Sequence, residues 1–258
     1  MKQRVGIVVP TLGTRPDFLK QCLESINNSG KAHVCLVAPK DFQFKSLMRD
    51  GLIDQFVVDP GNGLPNAINE GFSQLPPGID YINWLGDDDM LSKGSLGKAT
   101  KALDLDPKTV LVFGSCNYID SSGRTIWINK SGQWASTLLR VGPNLVPQPG
   151  ALFRRSAFGK VGGLSEEFNW AFDFDLLLNL KNFGKLKFLD ETLSSFRWHP
   201  ESLTVEFRSR SVEEASRIRI SHLPPPLRPI SWLWEYPVKK ATFLAGLRVS
   251  RNAKKLAA

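Results

Sequence analysis

The chain has 258 residues with 42% hydrophobic and 22% charged residues, so it can bury a sizeable core and is neither a disordered nor a fibrous protein. Most of its net charge of +8 lies at the carboxyl end, where residues 206–258 hold eleven Lys and Arg against four acids. The rest is close to neutral, which argues against a nucleic-acid-binding core.

Cysteine content and hydropathy bear on the compartment. Cys22, Cys35 and Cys116 are widely spaced and lack metal-ligand spacing, which is typical of reduced core thiols in a cytosolic protein. The apolar run at 5–9 is too short for the hydrophobic region of a signal peptide, and no uncharged apolar stretch approaches 18 residues. We therefore expect a cytoplasmic protein without a transmembrane span.

Short β-branched runs alternate with helix-like segments in the first half of the chain. The pattern predicts strands at 5–9, 32–37, 55–58, 81–85 and 110–113, with helices at 17–26 and 65–72. Further on it predicts a turn at 120–123, a strand at 148–153 and a helix at 174–183, and prolines between 224 and 229 interrupt the chain. The alternation predicts an α/β fold with a mostly parallel sheet and helices on both faces.

Three polar clusters follow predicted strands, at 10–15, 59–63 and 86–89. In parallel sheets of this kind ligands bind at the carboxyl ends of the strands. The three clusters are therefore expected to meet at one edge of the sheet.

The strongest chemical feature is the acidic triplet Asp87, Asp88 and Asp89, directly after a predicted buried strand. Adjacent carboxylates repel one another unless a cation compensates them, and hard oxygen ligands suit Mg²⁺ or Mn²⁺. A metal ion there could stabilise the charge on a departing diphosphate. The alternative is a solvated loop in which one Asp caps a helix that begins near residue 93.

Six segments in chain order resemble motifs of the glycosyltransferase family 2 enzymes. From the first half these are Val8-Val9-Pro10-Thr11 with Arg15, the segment ending in Asn69-Glu70-Gly71-Phe72, and Gly86-Asp87-Asp88-Asp89, which is similar to a metal-binding Asp-x-Asp motif. From the second half they are Gln148-Pro149-Gly150-Ala151, Phe172-Asp173-Phe174-Asp175-Leu176 and Arg197-Trp198-His199-Pro200-Glu201-Ser202. The match runs from about residue 5 to about residue 204, and the ordered set is far more specific than any one motif.

The resemblance implies a GT-A fold with a nucleotide-sugar-binding half at 1–115, an acceptor-binding half at 116–205 and a basic helical extension at 206–258. It also implies an inverting, metal-dependent glycosyltransferase of the hexosyltransferase type, acting in cell-envelope polysaccharide or glycolipid synthesis. Two departures stand out. Phe172 occupies the position of a family Glu, and Ala38-Pro39-Lys40-Asp41 follows the second strand where the family has a base-reading Asp, so the nucleobase stays open.

The resemblance further implies roles for the acidic residues. Asp89 would bind Mn²⁺ or Mg²⁺ directly together with Asp87, and Asp88 would face the sugar or ribose. His199 could complete the metal shell or contact the diphosphate, although a lone His is often structural. Asp173 would be the general base that takes the proton of the acceptor hydroxyl. Its alternative role is that of a cap or first-turn acid of the helix at 174–183.

The remaining candidates are assigned by their place in the motifs. Pro10, Thr11, Arg15, Asp59 and Asn69 are expected on the nucleotide-sugar side, and Gln148, Arg197 and Trp170 on the acceptor or phosphate side. The guanidinium groups could pair with phosphate or form surface salt bridges. Asn69 could equally be a packing residue with satisfied hydrogen bonds, and Trp170 could pack in the core rather than stack on a sugar.

The carboxyl-terminal tail combines aromatic and basic residues at 230–240 and has an amphipathic pattern at 241–256. This suits the surface of an anionic membrane, which would make the protein peripheral on the inner face of the cell membrane. The alternative is a helix packed on the body with a solvated basic face. The acceptor is accordingly expected to be a saccharide or a lipid-linked molecule.

Two other functions compete with a transferase. Leu12-Gly13-Thr14-Arg15-Pro16 faintly resembles the phosphate loop of sugar-phosphate nucleotidyltransferases, but it lacks their additional glycines and following lysine. The other alternative is a non-catalytic, membrane-associated binding protein with the same fold.

Overall fold

The computed structural model describes residues 3–130, 132, 134–199 and 202–257. The strands are β1 (Val5–Pro10), β2 (His33–Ala38), β3 (Gln55–Val58), β4 (Tyr81–Trp84), β5 (Met90–Leu91), β6 (Thr109–Ile119), β7 (Thr125–Asn129), β8 (Leu152–Arg154) and β9 (Lys185–Arg197). The helices are α1 (Pro16–Ser29), α2 (Lys45–Arg49), α3 (Leu64–Ser73), α4 (Ser95–Leu105), α5 (Trp134–Leu138), α6 (Arg155–Val161), α7 (Phe172–Leu180), α8 (Leu203–Glu206), α9 (Arg208–Ser221) and α10 (Trp232–Ala257), with a 3-10 helix at Pro225–Ile230.

The strands form one sheet in the order β3-β2-β1-β4-β8-β6-β9-β5, and β7 pairs with the carboxyl-terminal part of β6. The neighbours from β3 to β4 are parallel, as are β6 and β9. The short strands β8, β5 and β7 pair antiparallel. The predicted mostly parallel α/β sheet is therefore confirmed.

Alternate residues of the central strands point to opposite faces, and each face has its own core. Val8 packs with α3 and α7 on one face, whereas Ile7 and Val9 pack with α1 and α4 on the other. A Cβ atom added to Gly71 would lie 2.6 Å from Cγ1 of Val8, so a residue without a side chain lets α3 pack closely on β1. As predicted, helices cover both faces, and the three cysteines are buried and free.

The second half of the chain departs from its predicted elements. The strand expected at 148–153 is reduced to β8, because Gln148 turns to donate hydrogen bonds to the end of β4. Helix α7 begins two residues earlier than expected. Helix α10 begins before the predicted amphipathic segment and continues through Pro237.

The carboxyl-terminal helices pack on the body of the protein. Val249 of α10 is buried against Ile126 and Trp198, and Trp198 Nε1 donates a hydrogen bond to Ser250 Oγ at 3.0 Å. No helix within the described residues combines the length and the apolarity that crossing a bilayer requires.

Candidate active site at the acidic loop

The acidic loop, residues 86–89, leaves the carboxyl end of β4 beside the end of β1. The backbone N–H of Leu85 bonds to the carbonyl of Val8, and the N–H of Asp89 closes a turn onto the carbonyl of Gly86. Although they lie in a loop, Asp87 and Asp89 are only 4% and 5% exposed. Helix α4 has Gly94 as its N-cap with no side-chain cap, so the capping role considered for the triplet is not what the structure has.

The polar cluster after β1 meets this loop, as predicted from the strand ends. The Thr11 hydroxyl donates a hydrogen bond of 2.5 Å to Oδ2 of Asp87. Arg15 spans two carboxylates, with Nη2 at 2.7 Å from Oδ1 of Asp87 and Nη1 at 2.9 Å from Oδ2 of Asp88. Pro10 ends β1 and is buried behind Thr11. The loop and the first βα connection therefore form one charged site.

His199 completes this cluster from the end of β9. Its Nε2 lies 2.8 Å from Oδ2 of Asp88 and 3.1 Å from Nη1 of Arg15, and its ring packs on Phe18. The side chain is 7% exposed and follows the end of β9 by two residues. Pro200 and Glu201, the next residues of the motif, lie outside the described residues.

Arg197 has a different place from the predicted phosphate contact. Its backbone N–H donates to Oδ1 of Asp89, while its guanidinium is bonded to Oε1 of Gln21 and to the carbonyls of Asp88, Asp120 and Ser121. The guanidinium also stacks over Phe18 at 4.2 Å, and the residue is 1% exposed. Because its donors are used inside the protein, Arg197 fixes the loop in place and does not face a ligand.

The surroundings of the three carboxylates shift their pKa values in different directions. Burial raises the pKa of Asp89 well above its ordinary value, and the charge of Asp88 adds to this effect. Burial also raises the pKa of Asp87, against the opposing hydrogen bond from Thr11. Burial acts in the same direction on Asp88, but the hydrogen bond from His199 and the charge of Arg15 outweigh it, so its pKa is lowered. The loop thus concentrates negative charge that a bound cation would stabilise.

The donor set fits a divalent ion shared with a ligand. A Cβ atom placed on Gly86 would lie 2.9 Å from Oδ1 of Asp88 and 3.2 Å from Oδ2 of Asp89, so both carboxylates converge over a residue without a side chain. Within the described residues, no three His, Cys, Asp or Glu side chains form a group that could hold an ion unaided. Mg²⁺ and similar ions usually take one or two carboxylates and complete their shell with phosphate oxygens and water.

Arg15 offers a donor to an anionic ligand. Its Nε is buried and has no hydrogen-bond partner among the described residues. A buried donor without a partner is costly, and a phosphate oxygen would satisfy it.

Asp173 lies in the first turn of α7, close to the same edge of the sheet. The ring of its neighbour Phe172 packs 6.0 Å from that of Trp84, the last residue of β4. Asn144 donates a 3.0 Å hydrogen bond to Oδ2 of Asp173. Burial raises the pKa of Asp173 to about 6, against opposing hydrogen bonds from backbone amides. The N-cap of α7 is Ala171, so Asp173 does not cap the helix, but it is an acid of the first turn, as the alternative interpretation of this residue expected.

Glu214 is a buried acid that the sequence patterns did not single out. It projects from α9 and accepts hydrogen bonds from the backbone N–H groups of Asn169, Trp170 and Ala171 at 3.1, 2.7 and 2.6 Å. It is 1% exposed, and its charge contributes to the raised pKa of Asp173. No local sequence pattern signals this contact, because its partners are backbone groups 43 to 45 residues away.

The other predicted residues are distributed around this centre. Asn69 exchanges two hydrogen bonds with the backbone of Leu164, which favours the packing alternative over a contact with the nucleotide sugar. The side chain of Gln148 donates hydrogen bonds to Oδ1 of Asn83 and to the carbonyl of Trp84.

Trp170 packs on Phe207, with Arg210 over its ring. Asp59 follows the edge strand β3 and bonds to the N–H of Gly61, at the predicted edge but not in contact with the acidic loop.

Comparisons with known proteins identify the fold. No protein-family model matches the chain. It is 24% identical over 185 residues to the O-antigen biosynthesis protein RfbC of Myxococcus xanthus, a match that covers 68% of this chain and 14% of that protein.

Two solved structures resemble the chain as a whole. A mannosyltransferase of Pyrobaculum calidifontis, PcManGT, in complex with GDP-Man and Mn²⁺, has a TM-score of 0.65 at 17% identity, over 100% of this chain and 79% of that one. A fragment of S. aureus TarS in complex with UDP-GlcNAc has a TM-score of 0.63 at 12% identity, over 85% of this chain and 66% of that one. The chain therefore has the fold of GT-A-type glycosyltransferases.

Proposed function

We propose that this protein is a glycosyltransferase of family 2 type that moves a sugar from a nucleotide-diphosphate sugar to an acceptor hydroxyl. The observation that carries the proposal is the convergence of Asp87, Asp88 and Asp89 with Thr11, Arg15 and His199 at the carboxyl ends of β1 and β4. In open α/β sheets this is where ligands bind. The fold and the chemistry of the site support the same function.

The donor in this proposal is recognised by its diphosphate. Arg15 would turn its unpartnered Nε and part of its guanidinium to the phosphate oxygens. Pro10, Thr11 and Asp59 would line the nucleoside side. PcManGT and TarS were solved with GDP-Man and UDP-GlcNAc, which have different bases and sugars, so the proposal extends to the nucleoside diphosphate and not to one sugar.

Mn²⁺ or Mg²⁺ is the proposed cofactor. Asp89 would be the direct ligand, and diphosphate oxygens and water would fill the rest of the shell. Asp87 and His199, which here bond to Arg15, would become further donors once the diphosphate has drawn Arg15 away, with Asp88 toward the sugar or ribose. A bound ion would stabilise the negative charge that develops on the leaving diphosphate. Arg197 supports this set indirectly, because its backbone holds Oδ1 of Asp89.

Asp173 is the proposed general base. Its carboxylate would take the proton of the acceptor hydroxyl as that oxygen bonds to the anomeric carbon, while the bond from this carbon to the diphosphate breaks. The nucleoside diphosphate leaves with the bonding electrons, and attack from the opposite face inverts the anomeric configuration. A pKa of about 6 leaves Asp173 ionised at neutral pH yet more basic than an ordinary Asp.

The proposed setting is cell-envelope polysaccharide or glycolipid synthesis on the cytoplasmic side, with a saccharide or lipid-linked acceptor. The similarity to an O-antigen biosynthesis protein supports it. The match covers only 14% of that protein, so the whole protein's role is not carried over, and the setting is proposed from the 185 matched residues alone.

The test is a panel of nucleotide sugars incubated with the protein and Mn²⁺ or Mg²⁺, followed by detection of released nucleoside diphosphate. We expect release that chelation abolishes. Pyrophosphate released from a nucleoside triphosphate and a sugar phosphate would instead identify a nucleotidyltransferase. Nucleotide binding of equal affinity in chelator, without turnover, would identify a binding protein and contradict the proposal.

A further inference from the structure

The segment from residue 224 to residue 236 exposes a run of large apolar side chains. All residues from 224 to 230 are exposed, including Leu227 and Ile230. Beyond them Trp232, Leu233 and Tyr236 are 67%, 56% and 70% exposed. Single exposed apolar residues are ordinary, but a contiguous run with aromatic members marks an interaction surface.

Helix α10 continues this surface in a regular way. At 100° per residue, Leu233, Lys240, Leu244 and Arg251 fall in line on its outward face, and all four are exposed. The opposite face carries Glu235 and Val249, which are 4% and 6% exposed and pack on the body. The outward face therefore carries apolar and basic side chains together, beginning with Leu233 and ending with Arg251.

The exposed charges of this segment all have one sign. Between residues 224 and 257 Glu235 is the sole acid, and it is buried against the guanidinium of Arg219 at 2.8 Å. The exposed charged residues are basic: Arg228, Lys240, Arg248, Arg251, Lys254 and Lys255. Two leucines and several of these cations, among them Arg248, Arg251 and Lys255, line a shallow cavity of about 480 Å³ along α10.

The start of the apolar segment is tied to the body beside the proposed catalytic helix α7. Arg219 binds the carbonyl of Gly142 as well as Glu235, which holds the loop after α5 next to the start of α10. In that loop Val141 is 47% exposed. His222, just before the apolar segment, lies 3.0 Å from Asp175 of α7.

We propose that this C-terminal surface, formed by Leu227, Ile230, Trp232, Leu233, Tyr236 and Lys240 with the basic end of α10, lies on an anionic lipid bilayer. Aromatic and aliphatic side chains enter the interfacial region, and the cations meet the headgroups. A second copy of the chain is a poor occupant because it would bring the same positive charges together. The surface borders α7, so bilayer contact holds the proposed active site near a membrane-borne acceptor, a consequence that rests on the proposed function.

The experiment is co-sedimentation of the full chain with vesicles of phosphatidylcholine alone or with 30% phosphatidylglycerol. We expect binding to the anionic vesicles that weakens as salt rises. The apolar variant Trp232→Ser/Leu233→Ser/Tyr236→Ser should bind at least tenfold more weakly. The charge variant Lys240→Gln/Arg251→Gln should bind roughly 25-fold more weakly, since each cation near such a surface contributes about a factor of five.

Matched controls are Leu105→Ser, which is 71% exposed on α4, and Lys31→Gln/Lys101→Gln, both exposed elsewhere on the body. They should leave vesicle binding unchanged, and thermal unfolding midpoints should match those of the wild type. Absence of vesicle binding by the wild type, or equal binding by all variants, overturns the proposal. Self-association that the apolar variant abolishes, without vesicle binding, would assign the surface to a second copy instead. Nucleoside diphosphate release is not measured here, so either proposal can fail without the other.

Discussion

Asp89 and Asp173 are carboxylates whose buried surroundings oppose their ionisation, and this sets what their substitution should do. Burial raises both pKa values, to about 6 for Asp173. Such groups destabilise the folded protein when ionised and are retained where their charge has a use. Replacement by Asn should therefore separate activity from stability at each position.

Asp173→Asn should lower kcat by about 10²- to 10⁴-fold, because the amide cannot accept the acceptor proton. The wild-type rate should fall as the pH drops below about 6, since protonated Asp173 is inactive as a base. A pH–rate profile with saturating donor checks both points. A variant that keeps its kcat would remove Asp173 from the mechanism.

The same substitution should change the pH dependence of stability. Because burial raises the folded-state pKa to about 6 from an ordinary 3.8, the folded protein holds a proton that the unfolded chain has released between these values. The wild type should lose stability as pH rises through that window, and Asp173→Asn should lose less, because only Asp89 and Asp87 keep raised pKa values in the variant. The variant should then be more stable above pH 6 by about 1–3 kcal/mol, measured by urea unfolding at pH 4 and pH 7.5. An unchanged difference between the two pH values would contradict this.

Asp89→Asn should weaken metal-dependent nucleotide binding while preserving the fold. The Asn oxygen can still accept the backbone N–H of Arg197, and the repulsion from Asp88 is removed. We expect at least a tenfold loss of Mn²⁺ affinity in the presence of nucleoside diphosphate, measured by calorimetry. The control is Asp190→Asn on the exposed part of β9, which should bind as the wild type does.

Among the secondary-structure elements, those with a local pattern were predicted best. Strand β3 has the bounds that were predicted for it, and α3 is one residue longer at each end than the predicted helix at 65–72. Both elements are defined by local features, the hydrophobic spacing and, for α3, Pro65. The prediction of a strand over the whole of 148–153 was wrong, because the apolar residues of this segment are buried by packing without forming a long strand. Gln148, at its start, bonds to β4 instead of continuing the strand. The amphipathic segment was expected at 241–256, but α10 begins at Trp232 and passes through Pro237.

Helix α9 is the element whose role in the site depends on one residue. Glu214→Gln should destabilise the protein by about 1–3 kcal/mol, because one ionised acceptor serves three backbone amides. Removal of its charge should also lower the pKa of Asp173 and move the acidic limb of the pH–rate profile to lower pH. Thermal unfolding and the rate profile measure the two effects.

Glu213→Gln is the matched control for this prediction, since Glu213 is adjacent on α9 with its side chain 62% exposed. It should leave both the unfolding midpoint and the acidic limb in place. An identical shift in both variants would show that general charge, rather than the contact with residues 169–171, is responsible.

At the scale of the whole molecule, the C-terminal extension is tied to the body through buried charge. Arg219 forms a bidentate pair with Glu235, both bonds at 2.8 Å, and its guanidinium packs over Phe174 of α7 at 5.6 Å. The sheet itself runs without interruption from β3 to β5, across the predicted boundary at residue 115. The division into a donor half and an acceptor half stays a prediction about function.

Arg219→Ala should destabilise the protein by about 3–5 kcal/mol, because Glu235 would be left buried without a partner. The double variant Arg219→Met/Glu235→Leu should recover much of this loss. Denaturant unfolding followed by fluorescence and by circular dichroism measures it, and both probes should give one transition. The control Arg217→Ala, at a side chain 61% exposed on the same helix, should stay within about 0.5 kcal/mol of the wild type.

The sequence by itself determined the parallel α/β sheet and the edge at which its polar clusters lie, and it singled out the acidic loop on which the proposed site is built. The hydrophobic period and the position of a strand end are local properties of the sequence, so they can be predicted without knowing which residues lie in contact in the folded protein. Only the tertiary structure decided that Arg15 and His199 meet Asp88, that the side chains of Asn69 and Arg197 bond to backbone carbonyls, and that Glu214 binds the backbone at the start of α7. These roles depend on which atom lies opposite across many intervening residues, and the composition of a segment does not specify that atom.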